Sequence, residues 1–390
     1  MDVIRGLFSS APPPLTQIPG TLPTLSTDVL IEILSWMDTT VPLRSVCRTF
    51  CTLIKPDRAN TQKCVRIAAQ SGYIALLLWA EKQKGSLEKV PMLAAYGGNL
   101  TTLKWLLETK RIGDNSFPSI DDAKICEAAA LGGHLAVIQW ARSWNCPYGD
   151  TTPVAAGEGH LDVLQWAVAN GATTHYLTWL NACESGKFHV LLWGLITKKI
   201  KFVPSLCCAA ARGGHLNILK WLRNNNCPWD TTTTADAAIH GHHEVFYYAL
   251  YNHCPIYLTE DLSNQVASKG HYEMVKVLHY LGCPLGNSIC SSAASSGNLD
   301  LLKWLRSLSL PWGRTTSSAA VFNRLEILQW AHLESCPWDN NTLYDAAQFK
   351  HFELLDWAYC NGAPWDQRLE NFTEPKVITW VQSKKTCIIS

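Results

Sequence analysis

The chain has 390 residues, of which 47% are hydrophobic and 17% charged, and its formal net charge is +1. This composition predicts a soluble, core-forming protein, and the near balance of 33 Lys and Arg against 32 Asp and Glu argues against nucleic acid as a partner. The longest apolar run, from Ile74 to Ala80, falls far short of the roughly 20 residues that span a membrane. The 15 Cys residues accompany no export signal, so we expect reduced thiols in a cytoplasmic protein.

The N-terminal part of the chain divides into two segments. Residues 1–21 contain Pro12-Pro13-Pro14 and predict a disordered leader. Residues 22–60 have an apolar stripe at helical spacing, then a proline break, then a second apolar stretch. This segment is too short to bury its own core, so its apolar face is expected to need a partner.

This segment resembles an F-box, a pattern that opens with Leu-Pro, continues with an Ile/Leu-rich helix and closes with Val-Cys-Arg-x-Trp/Phe. The matching parts are Leu22-Pro23, the stretch from Leu30 to Met37, and the run from Val46 to Phe50. The resemblance implies docking on the Skp1 subunit of a cullin ubiquitin ligase. The residues that it implies contact Skp1 are Leu22, Pro23, Leu30, Ile33, Leu34, Met37, Val46 and Cys47. The alternative is that the segment only caps the helical array that follows it.

Residues 61–365 repeat one sequence unit eleven times, with a period of about 27 residues. The unit is plainest in AAARGGHLNILKWL, from Ala209 to Leu222. We number the units repeats 1 to 11 and call the residue after the glycine the anchor. The anchors are Tyr73, Asn99, His134, His160, Lys187, His215, His242, His271, Asn298, Arg324 and His351.

Each unit predicts two short helices. The first carries an Ala-Ala pair four and five residues before the anchor, which allows neighbouring helices to approach closely. The glycine before the anchor suits the left-handed residue that ends a helix. The second helix has apolar residues three and four positions after the anchor and, in nine repeats, Trp six positions after it, which we expect to be buried. Acidic residues at the second position after the anchor would lie in its first turn, where they complement the helix dipole.

The unit resembles the ankyrin repeat in its small-residue first helix, its Gly-His junction and its apolar second helix. The period is shorter than the family's by about six residues, so we expect short connections, except in the long interval that contains residues 108–123. Residues 366–382 carry only a second-helix pattern and predict a capping half-unit, with residues 383–390 as a tail. The predicted fold is therefore an all-α, ankyrin-like helical solenoid with an F-box-like segment before it.

The many His and Cys residues do not predict a metal site. Anchor histidines recur once per repeat, too far apart to ligate one ion, and are expected to tie the helix junctions together. The cysteines before the Pro-aromatic turns recur in the same way and are expected to be core thiols. No nucleophile, phosphate-loop or metalloprotease motif occurs, so we predict no enzyme activity and no cofactor.

The variable positions two and three residues before the anchor are the predicted recognition positions. They lie at the end of the first helix, and aromatic residues there are of the type that dominates protein interfaces. The residues predicted to bind a target protein are Tyr96, Leu131, Arg212, His240, Phe322 and Phe349.

The whole arrangement resembles the F-box/ankyrin families of giant DNA viruses. That resemblance implies an adaptor that brings a host protein to a Skp1-cullin ubiquitin ligase in the host cytoplasm. The alternative is a ligase-independent scaffold or decoy that binds a host protein. The last four residues, from Cys387 to Ser390, match the C-a-a-X prenylation signal, and a prenyl group on Cys387 would give weak membrane association. The alternative is that Ile388 and Ile389 pack on the closing half-unit.

Overall fold

A computed structural model describes residues 58–109 and 123–389 of the chain. Within these ranges every regular element is a helix and no strand occurs. The helices follow the repeats, with one first helix and one second helix for each anchor. This part of the chain is therefore all-α and built of repeated helix pairs, as the sequence predicts, and it agrees with a helical repeat solenoid.

The helix bounds show how regular the repeat is. The first helices of repeats 1 to 11 are, in order, Arg58–Ser71, Val90–Tyr96, Ala123–Leu131, Thr151–Glu158, Tyr176–Glu184, Pro204–Arg212, Thr231–Ile239, Glu260–Ser268, Ile289–Ser296, Thr315–Val321 and Thr342–Gln348. The second helices are Ile74–Lys82, Leu100–Glu108, Leu135–Ser143, Leu161–Ala169, Phe188–Ile196, Leu216–Asn224, His243–Tyr251, Tyr272–Tyr280, Leu299–Ser307, Leu325–Leu333 and Phe352–Cys360. A 3-10 turn, Gln367–Asn371, and a last helix, Pro375–Ile389, follow.

The chain forms two compact units, which are described separately below. Unit 1 contains residues up to Ala155 together with Asp162–Ala172. Unit 2 contains Ala156–Leu161 and everything from Thr173 onward. Repeats 1 to 3 thus lie in unit 1 and repeats 5 to 11 in unit 2.

The Ala-Ala pairs are buried in all nine repeats that carry them. Within each unit the first helices of successive repeats pack against one another. Two adjacent alanines, such as Ala210 and Ala211, lose almost no side-chain entropy on burial and leave the helix surface flat. The prediction that small residues permit close packing of the first helices is confirmed for the described repeats.

The tryptophan on the second helix is less buried than the sequence predicts. Trp221 is only half-buried, and so are its eight counterparts. The fully buried positions are three, four and seven residues after the anchor, which in repeat 6 are Ile218, Leu219 and Leu222. Because each residue turns a helix by about 100°, these three positions share one face, and the sixth lies about 100° from the centre of that face. The Trp therefore flanks the core, where Trp221 packs against Phe188 and Phe202.

The last helix packs on repeat 11. The indole of Trp380 is stacked on Trp365 at 6.1 Å between ring centroids, and its Nε1 donates to Asp356. Lys384 forms an ion pair with the same carboxylate at 2.6 Å. The helix runs to Ile389, beyond residue 382, where the sequence predicts the half-unit to end.

Candidate functional site

The first-helix ends are held in place by a junction that recurs along the chain. The glycine before the anchor has a left-handed φ, for example +75° at Gly214, so it ends the first helix as predicted. The anchor histidine then bonds to the preceding repeat: Nε2 of His215 donates to the carbonyl of Glu184 at 3.0 Å, and Nε2 of His242 donates to that of Arg212 at 2.9 Å. Each bond ties the end of one first helix to the next repeat. The predicted structural role of these two histidines is confirmed.

Asparagine and arginine anchors make a related contact. Asn298 donates through Nδ2 to the carbonyl of Gly270 at 2.9 Å, and Nε of Arg324 donates to Ser295 at 3.3 Å. Since an orphaned carbonyl at a helix end costs stability, the anchor supplies the missing donor in each case. The junction thus fixes the spacing of the residues that precede it, including the predicted recognition positions.

In unit 1 the first-helix ends present an apolar patch. Tyr96 is 42% exposed and Leu131 is 45% exposed, and they occupy the same position in repeats 2 and 3. Met92, one turn before Tyr96 on the same helix, is also exposed. Sequence reasoning missed Met92 because it compared repeats only near the anchor. We call Met92, Tyr96 and Leu131 the unit 1 patch.

In unit 2 the corresponding aromatic residues lie at the C-terminal end of the array. Phe322 is 53% exposed and Phe349 is 47% exposed, in the neighbouring repeats 10 and 11. An open groove lies along the first helices of repeats 9 to 11, beside Phe322. It is lined by Asn287, Ser288, Ser291, Gly313, Arg314, Ser317, Ser318, Val321, Phe322 and Asp345.

The floor of this groove is an internal polar network. Arg314 forms an ion pair with Asp339 at 3.2 Å and donates to Ser317. Ser317 in turn donates to Asp345, and burial raises the pKa of that carboxyl. Because these polar groups satisfy one another, the groove offers a fixed surface flanked by the exposed ring of Phe322.

Two other predicted recognition residues are engaged within the chain. Arg212 forms ion pairs with Asp236 at 3.0 Å and Glu184 at 3.5 Å, so it links repeats 5, 6 and 7. Nδ1 of His240 donates to the carbonyl of Asp236 at 3.0 Å. Burial raises the pKa of Asp236 even though Arg212 opposes the shift. The structure therefore assigns these side chains to a network that joins repeats, while both remain accessible to solvent.

The buried thiols close each repeat. The Sγ of Cys227 donates to the carbonyl of Val203 at 3.3 Å, and Cys254 and Cys283 make the same bond 24 residues back in their own repeats. Burial raises the pKa of Cys254 to about 12. No disulfide joins the cysteines whose side chains are described, and all of them but Cys360 are buried. The prediction that the phase-matched cysteines are core thiols is confirmed.

One recurring contact was not expected from the sequence. Arg142, Arg223 and Arg306 follow their anchors at the same distance, and each guanidinium lies about 4 Å from the centre of the aromatic ring in the next turn. Each also donates to the backbone carbonyl before that turn's proline. The signal was an Arg four residues before Cys-Pro or Leu-Pro. In each of these repeats the arginine side chain holds the turn against the second helix through a cation–π contact.

The other residues predicted to contact a partner, or to be modified, are not among those whose side chains the structure describes. Leu22, Pro23, Leu30, Ile33, Leu34, Met37, Val46 and Cys47 precede the described residues. Cys387 lies within the last helix, but its side chain is not described. No helix in 58–109 or 123–389 has the length and apolar character to cross a membrane. No group of three or more His, Cys, Asp or Glu in those ranges is placed to hold a metal ion.

Comparison with known proteins adds no family. No protein-family model matches the chain, and no curated protein is significantly similar to it. The helical repeat architecture therefore rests on the sequence period and on the structure together.

Proposed function

We propose that the chain is an adaptor for protein–protein interactions, in which the first-helix ends of an ankyrin-like repeat array hold a target protein. The observation that carries this proposal is the recurrence of exposed Tyr96, Leu131, Phe322 and Phe349 two or three residues before the anchor of their repeats. Because these large apolar side chains are exposed, they add little to the stability of the array. A partner that covers them would remove their apolar surface from water and so gain binding free energy.

In this proposal the F-box-like segment, residues 22–60, docks on a Skp1-like subunit and so brings the bound target to a ubiquitin ligase. Support comes from the order Leu22-Pro23, apolar stripe, then Val46 to Phe50 in the sequence. A prenyl group on Cys387 would place the same adaptor near a membrane surface. The repeats would belong to the ankyrin class and the protein to the host–virus interaction machinery of a giant DNA virus.

The ligase step is tested by a pull-down of purified Skp1 with the full chain and with Leu22→Ala/Pro23→Ala. The proposal expects the double change to reduce Skp1 recovery at least about tenfold, because both residues begin the apolar contact set. If wild-type protein does not bind Skp1, or if the double variant binds as well, the ligase role is wrong.

The target step is tested separately with Phe322→Ser/Phe349→Ser in the full chain. The matched control is Tyr280→Ser, which removes a 91% exposed ring from the second helix of repeat 8. Proteins recovered from a eukaryotic extract by the wild type should be lost with the double variant and retained with the control. Retention by both variants would refute the first-helix ends of unit 2 as the target surface.

Deleting residues 1–55 separates this proposal from a ligase-independent scaffold whose N-terminal segment only caps the array. A cap would cover the apolar end of repeat 1, so its loss should lower the melting temperature of the array markedly. An independent docking segment would leave that temperature nearly unchanged while Skp1 binding disappears.

A further inference from the structure

One stretch of unit 2 carries a local excess of positive charge. From Ser185 to Trp229 the sequence contains seven Lys and Arg residues and no Asp or Glu, although the whole chain carries a net charge of only +1. This stretch covers the second helix of repeat 5 and most of repeat 6. The balance over the whole chain, from which the sequence analysis argued, conceals this local block.

The connection between repeats 5 and 6 displays three of these charges. It lacks the proline turn that follows seven of the other repeats and reads Thr-Lys-Lys-Ile-Lys-Phe from Thr197. Ile200 is buried and its N–H donates to the carbonyl of Gly194 at 3.2 Å, while the ring of Phe202 lies 5.9 Å from Trp221. With Ile200 and Phe202 fixed inward, the lysines next to them in the chain project outward. Lys198, Lys199 and Lys201 are all exposed, and none of them forms an ion pair with a described residue.

Apolar side chains lie beside these lysines on the same second-helix side. Ile196 is 79% exposed, and Leu192, one turn earlier, is also exposed. Lys220 holds the position of Leu192 in the next repeat and is exposed as well. We call Leu192, Ile196, Lys198, Lys199, Lys201 and Lys220 the basic edge. It is a different surface from the first-helix ends and does not depend on the function proposed for them.

We propose that the basic edge binds an acidic segment of a partner protein, with an apolar side chain of that segment resting on Ile196. Four exposed lysines that form no ion pair with a described residue attract an acidic chain and steer its approach. A protein is favoured over a nucleic acid because the exposed apolar side chains of the basic edge, Leu192 and Ile196, are aliphatic and offer no aromatic ring on which a base could stack. Exposed aliphatic side chains beside the charges suit a mixed acidic and apolar peptide.

The test measures the binding of a fluorescent twelve-residue peptide of Glu and Asp with one central Leu to the full chain by anisotropy. The test variant is Lys198→Glu/Lys199→Glu/Lys201→Glu. The chain offers a matched control in unit 1, Lys82→Glu/Lys84→Glu/Lys89→Glu, which reverses three exposed lysines in the equivalent connection of repeat 1. In that connection Glu81 and Glu88 lie near the lysines in the sequence, so it lacks the local excess of positive charge. Lys84 has a left-handed φ, as Lys198 does, so each variant substitutes a lysine with the same kind of backbone conformation.

We expect the test variant to bind the peptide at least about tenfold more weakly than wild type, which is about 1.4 kcal/mol, and the control to stay within about twofold. Ile196→Ser should weaken binding of the Leu peptide but not of an all-acidic peptide. Binding should also fall between about 0.05 M and about 0.5 M salt, because exposed charges are screened. Should the reversed lysines impair folding, as judged by helical circular dichroism, Lys198→Gln/Lys199→Gln/Lys201→Gln replaces that variant.

Three outcomes would overturn the proposal. One is that wild type binds the acidic peptide no better than a peptide with Lys in place of Glu and Asp. Another is that the test and control variants lose the same affinity, which would mean that only total charge matters. The third is that a single-stranded twelve-nucleotide DNA or a phosphatidylserine vesicle binds more tightly than the peptide and with the same loss in the test variant.

Discussion

The junction between repeats makes a sharp prediction at Gly214. Its φ of +75° already disfavours any residue with a Cβ, and a Cβ built there would lie 2.5 Å from Nδ1 of His242. Gly214→Ala must therefore strain the backbone, at about 1 to 2 kcal/mol, and displace the imidazole from the carbonyl of Arg212, at about 0.5 to 1.5 kcal/mol. The expected loss in the free energy of unfolding is about 1.5 to 3.5 kcal/mol. Urea unfolding followed by tryptophan fluorescence measures it.

Gly282→Ala is the matched control, because Gly282 has a φ of +85° and open space where the new Cβ would stand. It should cost only the backbone strain of about 1 to 2 kcal/mol. In a His242→Ala background the cost of Gly214→Ala should fall to that same value, since the displaced hydrogen bond is already absent. Equal costs at Gly214 and Gly282, or no coupling between Gly214 and His242, would refute the role given to the junction.

Four further substitutions test the core and the pH dependence of stability. Leu222→Ala should lower the free energy of unfolding by about 2 to 5 kcal/mol, because Leu222 is fully buried. Trp221→Ala should lower it by only about 1.5 to 2.5 kcal/mol, because Trp221 is half-buried. If urea unfolding gives the reverse order, the assigned core face is wrong. Thr102→Val should stabilise the protein by about 1 kcal/mol, since the buried Oγ1 of Thr102 has no hydrogen-bond partner among the described residues. Most other repeats carry an aliphatic side chain at this position, three residues after the anchor. A lower melting temperature of the variant would contradict the prediction. Burial lowers the pKa of His271, and the nearby His242, His243, His240 and Lys269 lower it further. The folded state therefore resists protonation of His271. The stability of the protein should fall as the pH drops below the pKa of histidine in the unfolded chain, about 6.5. His271→Asn, the residue that serves as anchor at Asn298, should reduce the change in melting temperature between about pH 7.5 and pH 5.5, and an unchanged difference would exclude His271 as its source.

The features that the sequence predicts correctly are those decided within a few residues of chain. A left-handed Gly214, a buried pair such as Ala210-Ala211 and an acidic first turn at Glu244 each follow from local spacing and backbone sterics. The helix pairs themselves follow because the same pattern recurs with one period, so each repeat confirms the others.

The features that it misses depend on geometry between helices. Trp221 is larger than Leu222, and both side chains are apolar, but neither property says which of the two faces the first helices. The pairing of Arg212 with Glu184 and Asp236 needs the relative placement of three repeats, which no single repeat contains. For this reason the predicted recognition residues divide in the structure into exposed apolar side chains and members of a polar network.

Departures from the repeat therefore carry more information about function than the repeat does. Where a position agrees with its counterparts, as at His215 and His242, a structural bond accounts for it. Repeat 5 replaces the proline turn of most repeats with Lys198, Lys199 and Lys201, and the side chains of this connection that pack on the repeats are Ile200 and Phe202. Exposed charges without partners add little to stability. A run of them held outward by a packed connection is thus better explained by a partner than by the fold, and the same reasoning applies to the exposed rings of Phe322 and Phe349.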